Sequence, residues 1–383
     1  MKKALTIFLS IFVIICFTAT ISTAAKREKF GVDPRHDTAK RVNFKTSTEK
    51  IQWKMVMSWS KGLLFYDMAL HFCDSVRLAS AGRLNIKPFS AGELIPANQV
   101  FDAVSKGSVQ IAHSSPLYWK GKNEAFVAFA SVPFGLDGEG YNIWLYERGG
   151  LEMLQELYKP YNIYALPAGQ TGQEMGLFSN KRATKMSDFQ GMRIRTPGWY
   201  MDIMNNLGAS VSPLPGGEVY LALERGVIDA AEYSTPAINY PMGFDDITKY
   251  CIEPGVHQPG FQCDIIINQD AWNKLPDDLK WIVNICAKET QLWSYNWING
   301  LNAKAIKMFK ENIEFVTMDQ ETRINFRKVA KAYLDGLKEK YPDVKKALNS
   351  QEAFIAEFVD WRDARSGVTP WPYEMYINGR TNE

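Results

Sequence analysis

Strand-like and helix-like segments alternate along this chain, and the alternation constrains its fold more than any other feature. Residues 51–59 alternate apolar and polar side chains, residues 65–80 carry apolar side chains at helical spacing, and residues 84–89 alternate again. Gly82 follows the helical segment, as glycine often does where a helix ends. Strand, helix, strand is the unit of a parallel sheet, so we expect an α/β fold.

The same order of elements recurs further along the chain. Short helices are predicted at 98–106, 199–207 and 218–225, and each is followed directly or within one residue by glycine. Further strands are predicted at 109–113, 163–167, 175–178, 192–195, around 211 and at 228–231. Residues 269–311 read as a long helical stretch, and 321–338 and 350–365 as two amphipathic helices. The sequence therefore predicts an α/β core with a helical C-terminal third.

The first 25 residues have the pattern of a secretory signal peptide. Lys2 and Lys3 precede an uncharged stretch, residues 4–25, that is apolar from 5 to 17 and ends in small residues. A membrane anchor is the alternative, but it needs about 20 strongly apolar residues. We expect export and cleavage near Ala24 or Ala25, followed by a polar leader over residues 26–50.

The charge balance excludes several classes of protein. The 383 residues include 44 basic and 42 acidic side chains, for a formal net charge of +2. Loss of the two signal-peptide lysines leaves +2 − 2 = 0 for the mature chain. A protein that binds nucleic acid by neutralising phosphates normally carries a basic surplus. A hydrophobic content of 46% likewise excludes a disordered chain.

Motifs of common enzyme classes are missing from the sequence. It contains no GxSxG, no GxxxxGK[ST] and no HExxH. Of the four histidines, only His113 and His257 fall at strand or loop ends where a ligand could be contacted. Export, an α/β fold and the lack of a recognisable set of catalytic residues together are typical of a solute receptor. Cys251 and Cys263 flank a segment with proline and glycine, and a disulfide and two buried free thiols are both open for them.

Several motifs resemble the TRAP-transporter solute receptors of the DctP type. The segment GMRIRTPGWYMDIMNNLGASVSPLPGGEVYLALERGVIDAAEYSTP, residues 191–236, is similar to the family signature. FSAGELIPANQVFDAVSKGSVQIAH is similar to the first lobe of that family, and GQTGQEMGLFSNK to the strand that enters the second. Together these motifs span about residues 53–260.

The resemblance implies an architecture and partners. It implies a two-lobe periplasmic solute-binding protein fold, type II-like, with several crossings between the lobes and long C-terminal helices. Residues 51–172 plus about 260–300 would form lobe I, and 173–259 plus about 301–383 would form lobe II with a helical arm. The implied partners are a small organic acid, the small and large membrane subunits of a TRAP permease, and a second copy of the chain bound through the C-terminal helices.

The nearest look-alikes are receptors that bind 2-oxo acids or lactate together with a metal ion. By resemblance, Arg195 pairs with the substrate carboxylate, a contact that suits the planar fork of a guanidinium; Arg193 is the competing arginine on the same strand. The implied metal ligands are Glu174, Glu232 and the carbonyl of Tyr233. Glu174 stands where those relatives have glutamine, which favours calcium over sodium. Alternatively, Glu174 contacts the substrate directly and no metal binds.

Three further positions are candidates for ligand contact: Gln258 in the motif VHQPG, and Ser115 and Tyr118 in a loop of the first lobe. Three functions stay open at this point. The first is a receptor for a 2-oxo or 2-hydroxy monocarboxylate with a calcium or sodium ion. The second is a receptor of the same fold for a sulfonate or aromatic acid without metal. The third is an exported lyase or isomerase that uses Glu174 and His257.

Overall fold

The structure, a computed structural model, describes residues 45–366. The predicted signal peptide and most of the polar leader lie outside the described residues, as do residues 367–383. Among the residues that the structure describes, no helix combines the length and the apolar character needed to cross a bilayer.

Eleven strands in the described part of the chain form two separate sheets. They are β1 (Ile51–Met57), β2 (Leu84–Phe89), β3 (Ile111–Ser114), β4 (Ile163–Gly172), β5 (Leu177–Ser179), β6 (Arg193–Arg195), β7 (Ser210–Ser212), β8 (Ala230–Ala231), β9 (Tyr250–Glu253), β10 (Phe261–Asn268) and β11 (Glu314–Thr317). The mixed α/β class predicted from the alternation is confirmed by these two sheets and the helices packed on them.

The first sheet has the strand order β2-β1-β3-β10-β4. Strand β1 pairs in parallel with β2 and with β3, as the predicted strand, helix, strand unit requires. Strand β10 pairs antiparallel with both β3 and β4, so the sheet is mixed rather than wholly parallel. We call this sheet and the helices packed on it the first lobe.

The second sheet has the order β11-β9-β5-β8-β6-β7. Strand β6 lies between β7 and β8 and runs parallel to both, whereas β5 runs antiparallel to β8 and β9. We call this sheet and its helices the second lobe. Because β6 and β8 are parallel neighbours, their carboxyl ends meet at the same edge of the sheet.

Twelve α-helices accompany the strands in the described residues. They are α1 (Leu64–Ala79), α2 (Val100–Ser105), α3 (Gly138–Glu147), α4 (Gly150–Tyr158), α5 (Gly198–Asn206), α6 (Val219–Glu224), α7 (Pro236–Asn239), α8 (Phe244–Ile247), α9 (Gln269–Lys274), α10 (Asp277–Asn312), α11 (Gln320–Lys340) and α12 (Pro342–Ser366). The predicted helical stretch at 269–311 is divided at Leu275 and Pro276, because a residue before proline is driven away from the helical region.

Helix α10 connects the two lobes. Its 36 residues span about 54 Å at 1.5 Å per residue. In its first half, the Gln291 side chain accepts a hydrogen bond from the Gly169 amide of β4 at 2.8 Å. In its second half, Asn302 accepts one from the Ala237 amide of α7 at 2.9 Å. The predicted boundary at about residue 300 therefore falls inside one continuous helix.

The last helix also lies elsewhere than the sequence predicts. Residues from 301 onward are predicted to belong to lobe II, but α12 packs on the first lobe. Gln351 donates to the Ala128 carbonyl at 2.8 Å, and the Trp144 indole donates to Ser350 at 3.0 Å. Helix α12 buries Leu348 and Phe354 in this contact, which is the physical reason for its position.

Candidate functional site

Parallel strands of the second sheet bring the central residues of the site together. Arg195 is the last residue of β6 and lies opposite Ala231 of β8. Glu232 and Tyr233 follow β8 directly, so all three reach the edge where the two strands end. Ligands of open α/β sheets bind outside the carboxyl ends of the strands.

Arg195 is buried and held in one orientation. Its Nε donates to the Leu214 carbonyl at 2.9 Å, and its Nη1 donates to the Glu232 carbonyl at 2.8 Å and to Glu232 Oε1 at 3.3 Å. The guanidinium lies 5.5 Å from the centre of the Tyr233 ring. The side chain therefore presents a fixed fork of donors rather than a mobile charge.

Arg193, the competing arginine, has a structural role at the surface. Its side chain donates to both carboxylate oxygens of Asp229, at 2.8 and 3.1 Å, and remains half exposed. The hydrogen bond from Arg193, helped by Lys181, holds the pKa of Asp229 far below its usual range. Arg193 thus stays outside the buried cluster, and Arg195 is the arginine that reaches it.

Glu174 lies on the crossing from β4 to β5 and is also buried. Ser234 donates to its Oε1 at 2.9 Å, and the amide nitrogen of Gln258, oriented toward its acceptors, donates to Oε2 at 2.5 Å. The backbone amide of Glu174 donates to the Gln258 carbonyl at 3.0 Å. Burial raises the pKa of Glu174 to about 7, although hydrogen bonding to His257 opposes the shift.

His257 lies between the two carboxylates. Its Nε2 is 3.3 Å from Glu232 Oε2 and 3.7 Å from Glu174 Oε2, and all three side chains are nearly or fully buried. Burial alone would lower the pKa of His257, but the two carboxylates outweigh it and raise the pKa. Burial likewise acts to raise the pKa of Glu232, yet His257 and Arg195 hold it below its ordinary value.

Aromatic side chains surround these charges. The Tyr233 ring lies 6.4 Å from the Phe65 ring of the first lobe, and a side chain at Gly216 would approach it to 2.4 Å, so Gly216 leaves the space that the ring occupies. The Tyr118 ring lies 5.9 Å from the Trp59 ring of the first lobe at a tilt of 54°, and Tyr118 keeps 37% of its surface exposed. The predicted positions Tyr118 and Tyr233 therefore come from opposite lobes.

Ser115, one of the predicted ligand contacts, has its hydroxyl engaged inside the first lobe. Its hydroxyl donates to the Gln262 carbonyl at 2.9 Å and accepts the Leu117 amide at 3.3 Å, where it caps a short helical turn. The side chain is fully buried, so its hydrogen-bonding capacity is used inside the first lobe. His113 is similarly placed, because the Trp59 indole donates to its Nδ1 at 2.7 Å.

Cys251 and Cys263 are both free, buried thiols. Cys251 lies in β9 of the second sheet and Cys263 in β10 of the first, so the two residues belong to different lobes. The open choice between a disulfide and free thiols is settled in favour of the thiols.

The residues present fit a cation. One oxygen each of Glu174 and Glu232 and one ring nitrogen of His257 lie within 4.8 Å of one another. Glu232 Oε2 and His257 Nε2 are fully buried, and apart from their ion pair with each other at 3.3 Å and the approach of Glu174 they contact no further polar partner among the described residues. The motifs predict the two carboxylates as metal ligands, whereas His257 is predicted only as a possible ligand contact or, with Glu174, as a residue of the alternative enzyme; its position beside Gln258 in VHQPG was the available signal.

Comparison with known proteins gives one family. Residues 55–340 match the model of the bacterial extracellular solute-binding proteins, family 7. A monocarboxylate 2-oxoacid-binding periplasmic protein of Nostoc sp. is 35% identical to this chain over 322 residues, which make up 84% of this chain and 86% of that protein.

Solved structures of TRAP transporter solute-binding proteins share the fold. One from Bordetella bronchiseptica has a TM-score of 0.82 at 28% identity, covers 87% of this chain and 100% of that chain, and contains calcium and picolinate. Another from Pseudoalteromonas atlantica has a TM-score of 0.80 at 29% identity, with 88% and 100% covered, and contains sodium and pyruvate. Each of these two structures holds an organic acid beside a metal cation.

Proposed function

Because the chain belongs to the bacterial extracellular solute-binding proteins of family 7 and is a TRAP-type solute-binding protein, we propose which solute it captures. The solute is a small organic monocarboxylate, either a 2-oxo acid such as pyruvate or a 2-hydroxy acid such as lactate, taken up together with a metal cation. The protein delivers it to the membrane subunits of a TRAP permease. The names of the relative from Nostoc sp. and of the ligands in the solved structures support this choice.

One observation carries the proposal: the guanidinium of Arg195 is fixed and only partly used. Its Nε and Nη1 are occupied by carbonyl groups of Leu214 and Glu232, whereas among residues 45–366 no acceptor is paired with Nη2. A buried guanidinium with a spare donor suits a ligand carboxylate. The spare donor orients the acid by its carboxylate end.

The cation follows from the charges around Arg195. Arg195 and His257 already offset the charges of Glu174 and Glu232, so an added organic anion would bring an uncompensated negative charge into a place from which water is excluded. A bound cation compensates that charge and attracts the oxygen atoms of the acid. Glu174, Glu232 and the carbonyl of Tyr233 are the proposed ligands, while Gln258 and Ser234 hold Glu174 in position.

Binding also stabilises one arrangement of the lobes. Arg195 and Tyr233 belong to the second lobe, and Tyr118 belongs to the first. A ligand that contacts both sides favours the conformation in which both can reach it. The closed conformation is the form that a permease can distinguish from the empty receptor.

Replacing Arg195 by lysine tests the carboxylate contact. Lysine keeps the positive charge but lacks the planar guanidinium that fixes the free Nη2 donor in one direction, so we expect the affinity for pyruvate to fall by roughly 10- to 100-fold, equivalent to about 1.4–2.8 kcal/mol. Isothermal titration calorimetry with calcium present measures the change.

Arg193→Lys is the matched control, because Arg193 lies two residues away on the same strand and pairs with Asp229 outside the cluster. Its pyruvate affinity should equal that of the wild type. An unchanged affinity in Arg195→Lys would contradict the proposed carboxylate contact.

The location and the assembly state are part of the same proposal. We place the mature protein in the periplasm after cleavage near Ala24 or Ala25, and N-terminal sequencing of the exported protein tests the cleavage site. We also propose a homodimer through α11 and α12, where Trp361 is 60% exposed. A monomeric mass in light scattering at micromolar concentration would contradict the dimer.

A further inference from the structure

The two lobes also contact each other outside the cluster of buried charges. The first lobe contributes residues 117–124, which follow β3, and the second lobe contributes helix α5. Lys120 forms an ion pair with Asp202 of α5, and the indole of Trp199 in α5 donates to Glu124 at 3.0 Å. Both pairs therefore join parts of the protein that an opening of the two lobes would separate.

Trp199 is the apolar part of this contact. Its side chain is 1% exposed, and it belongs to the buried cluster that contains Leu117 and Val127 of the first lobe. Tyr200 and Ile203, on the same helix, belong instead to a separate buried cluster of the second lobe. Separation of the lobes would expose the Trp199 ring to water, so its burial favours their approach.

Gly198, the first residue of α5, permits the close approach. Its φ is +69°, and a Cβ added there would lie 2.6 Å from Leu117 Cδ1 of the first lobe. Glycine adopts this backbone conformation without a steric penalty and leaves the space that the leucine side chain occupies. The first turn of α5 therefore packs directly on the first lobe.

The ion pair between Lys120 and Asp202 is partly shielded from water. The two side chains are only 20% and 29% exposed. Asp202 Oδ2 also accepts the hydroxyl of Tyr333, which lies on α11. Its own lobe thus orients the carboxylate, and the lysine reaches it from the other lobe. Partial exclusion of water strengthens the attraction between the two charges.

We propose that the pairs Lys120–Asp202 and Glu124–Trp199 form a closure latch, which slows the opening of the lobes and so retains a bound solute. The inference rests on the proposed function, because it concerns the release of the solute captured at Arg195. Helix α5 begins three residues after Arg195, so one short segment of the second lobe carries both the carboxylate contact and the closure latch. The closure latch acts on the population of the closed form.

A permanent brace is the competing account. In it, the same contacts hold the lobes in one relation with or without solute, and their loss lowers only the stability of the fold. The two accounts differ in kinetics. A closure latch sets the rate at which the solute leaves, whereas a brace has no effect on that rate.

Asp202→Asn tests the closure latch. Asparagine keeps the shape and still accepts the Tyr333 hydroxyl, but it carries no charge to attract Lys120. The dissociation rate of pyruvate, measured by stopped flow with calcium present, should rise about three- to tenfold, the effect of losing one partly shielded ion pair. The association rate should stay within about twofold, because pyruvate enters the open form. An unchanged dissociation rate, with or without a lower unfolding midpoint in urea, overturns the proposal.

Asp102→Asn is the matched control. Asp102 pairs with Lys122 at 2.6 Å, and Lys122 lies two residues after Lys120, but both partners belong to the first lobe. Loss of this pair should leave the dissociation rate of pyruvate unchanged. Equal increases in Asp102→Asn and Asp202→Asn would overturn the assignment to a contact between the lobes.

The second variant, Trp199→Phe, keeps an aromatic ring but removes the N–H group that donates to Glu124. It should raise the dissociation rate of pyruvate about two- to threefold, less than Asp202→Asn does. A slower dissociation in Trp199→Phe than in the wild type would contradict the part given to this pair.

Fluorescence energy transfer between the lobes separates this inference from the proposed function. One label is placed on Lys87→Cys of the first lobe and the other on Lys249→Cys of the second, since both positions are exposed and the native cysteines at 73, 251, 263 and 286 are buried. The wild type should populate a closed form that Asp202→Asn reduces, and the absence of a closed form in the wild type under every condition overturns the closure latch.

The two proposals then fail in different ways. A smaller closed population in Asp202→Asn, without pyruvate or lactate binding to the wild type, means that the proposed function fails and the closure latch stands. Pyruvate binding that depends on Arg195, with equal closed populations and dissociation rates in Asp202→Asn and the wild type, overturns the closure latch and leaves the receptor function in place.

Discussion

Asp264 shows how a buried carboxyl group makes stability depend on pH. It lies in β10, its Oδ2 accepts the Tyr158 hydroxyl at 2.5 Å, and its Oδ1 has no partner among the described residues. Burial raises its pKa to about 7, although the hydrogen bond from Tyr158 opposes the shift. The folded protein therefore retains a proton at pH values where the unfolded chain has released it.

Asp264→Asn should remove this dependence. Between about pH 4 and pH 7 the wild-type folded state binds more protons at this group than the unfolded state, so the contribution of Asp264 to the free energy of unfolding falls as pH rises, by about 1.4 kcal/mol per pH unit. The variant has no such proton, and its carboxamide oxygen still accepts the Tyr158 hydroxyl. Urea denaturation of both proteins across that range measures the difference in slope.

Asp229→Asn is the matched control, because the pKa of Asp229 is lowered instead of raised. The stabilising contribution of Asp229 is fully present above the ordinary carboxyl pKa and is lost only as the pH falls toward the folded-state pKa. The difference from wild type should thus be constant above about pH 5. Parallel pH profiles for Asp264→Asn and wild type would contradict the burial argument.

At the scale of single residues, the sequence predicted the site side chains that belong to a motif, but not the side chains whose role depends only on packing. Arg195, Glu174, Glu232 and Gln258 lie in recognisable segments, and the structure brings them together. His257 acquires its role because a loop between two different sheets places it against both carboxylates. Ser115 lies in the expected loop, but its hydroxyl caps a short helical turn by accepting the Leu117 amide. No sequence motif indicates this hydrogen bond.

At the scale of elements, the buried side-chain amide of Gln291 connects helix α10 to strands β4 and β10 through hydrogen bonds. Gln291 accepts the Gly169 amide of β4 and donates to Gln262 of β10 at 2.5 Å and to Asn142 of α3 at 3.2 Å. These contacts join the helix to both strands that run toward the second lobe. Gln291 is therefore expected to carry more of the stability than a typical helical residue.

Gln291→Ala should destabilise the protein by about 2–4 kcal/mol. The substitution removes three hydrogen bonds and leaves a buried backbone amide without its acceptor, which costs more than losing an exposed pair. Lys304→Ala, an exposed position on the same helix, is the control and should change stability by less than about 0.5 kcal/mol. Equal midpoints for both variants in urea would contradict the role given to Gln291.

Local and non-local elements differed in how far the sequence could predict them. Strand β2 and helix α1 follow the predicted bounds within a residue, because their periodicity is local. Strands β9, β10 and β11 were not predicted. Their partners lie far away along the chain, such as β3 for β10, and a buried strand without alternation resembles any other apolar run.

At the scale of the whole molecule, α12 closes the first lobe from the far end of the chain. It buries Val344, Ala347, Leu348 and Phe354 against helices and turns of that lobe. A chain that ends at Tyr341 should lose several kcal/mol of stability, since burial of a large apolar side chain contributes about 1.5–3 kcal/mol. Thermal unfolding measures the loss, with Lys345→Ala, an exposed substitution on the same helix, as the control. An unchanged midpoint in the truncated chain would contradict this account.

The position of β10 in the first sheet has a consequence for the order in which the protein can be assembled. Strand β4 pairs only with β10 in that sheet, and β10, a strand of eight residues, also pairs with β3. A fragment ending at Gly172 would contain four of the five strands but could not join β4 to the others. If the fragment that ends at Gly172 and the rest of the chain are expressed separately, neither should form the native first sheet alone. The sheet should form only after the two fragments are mixed.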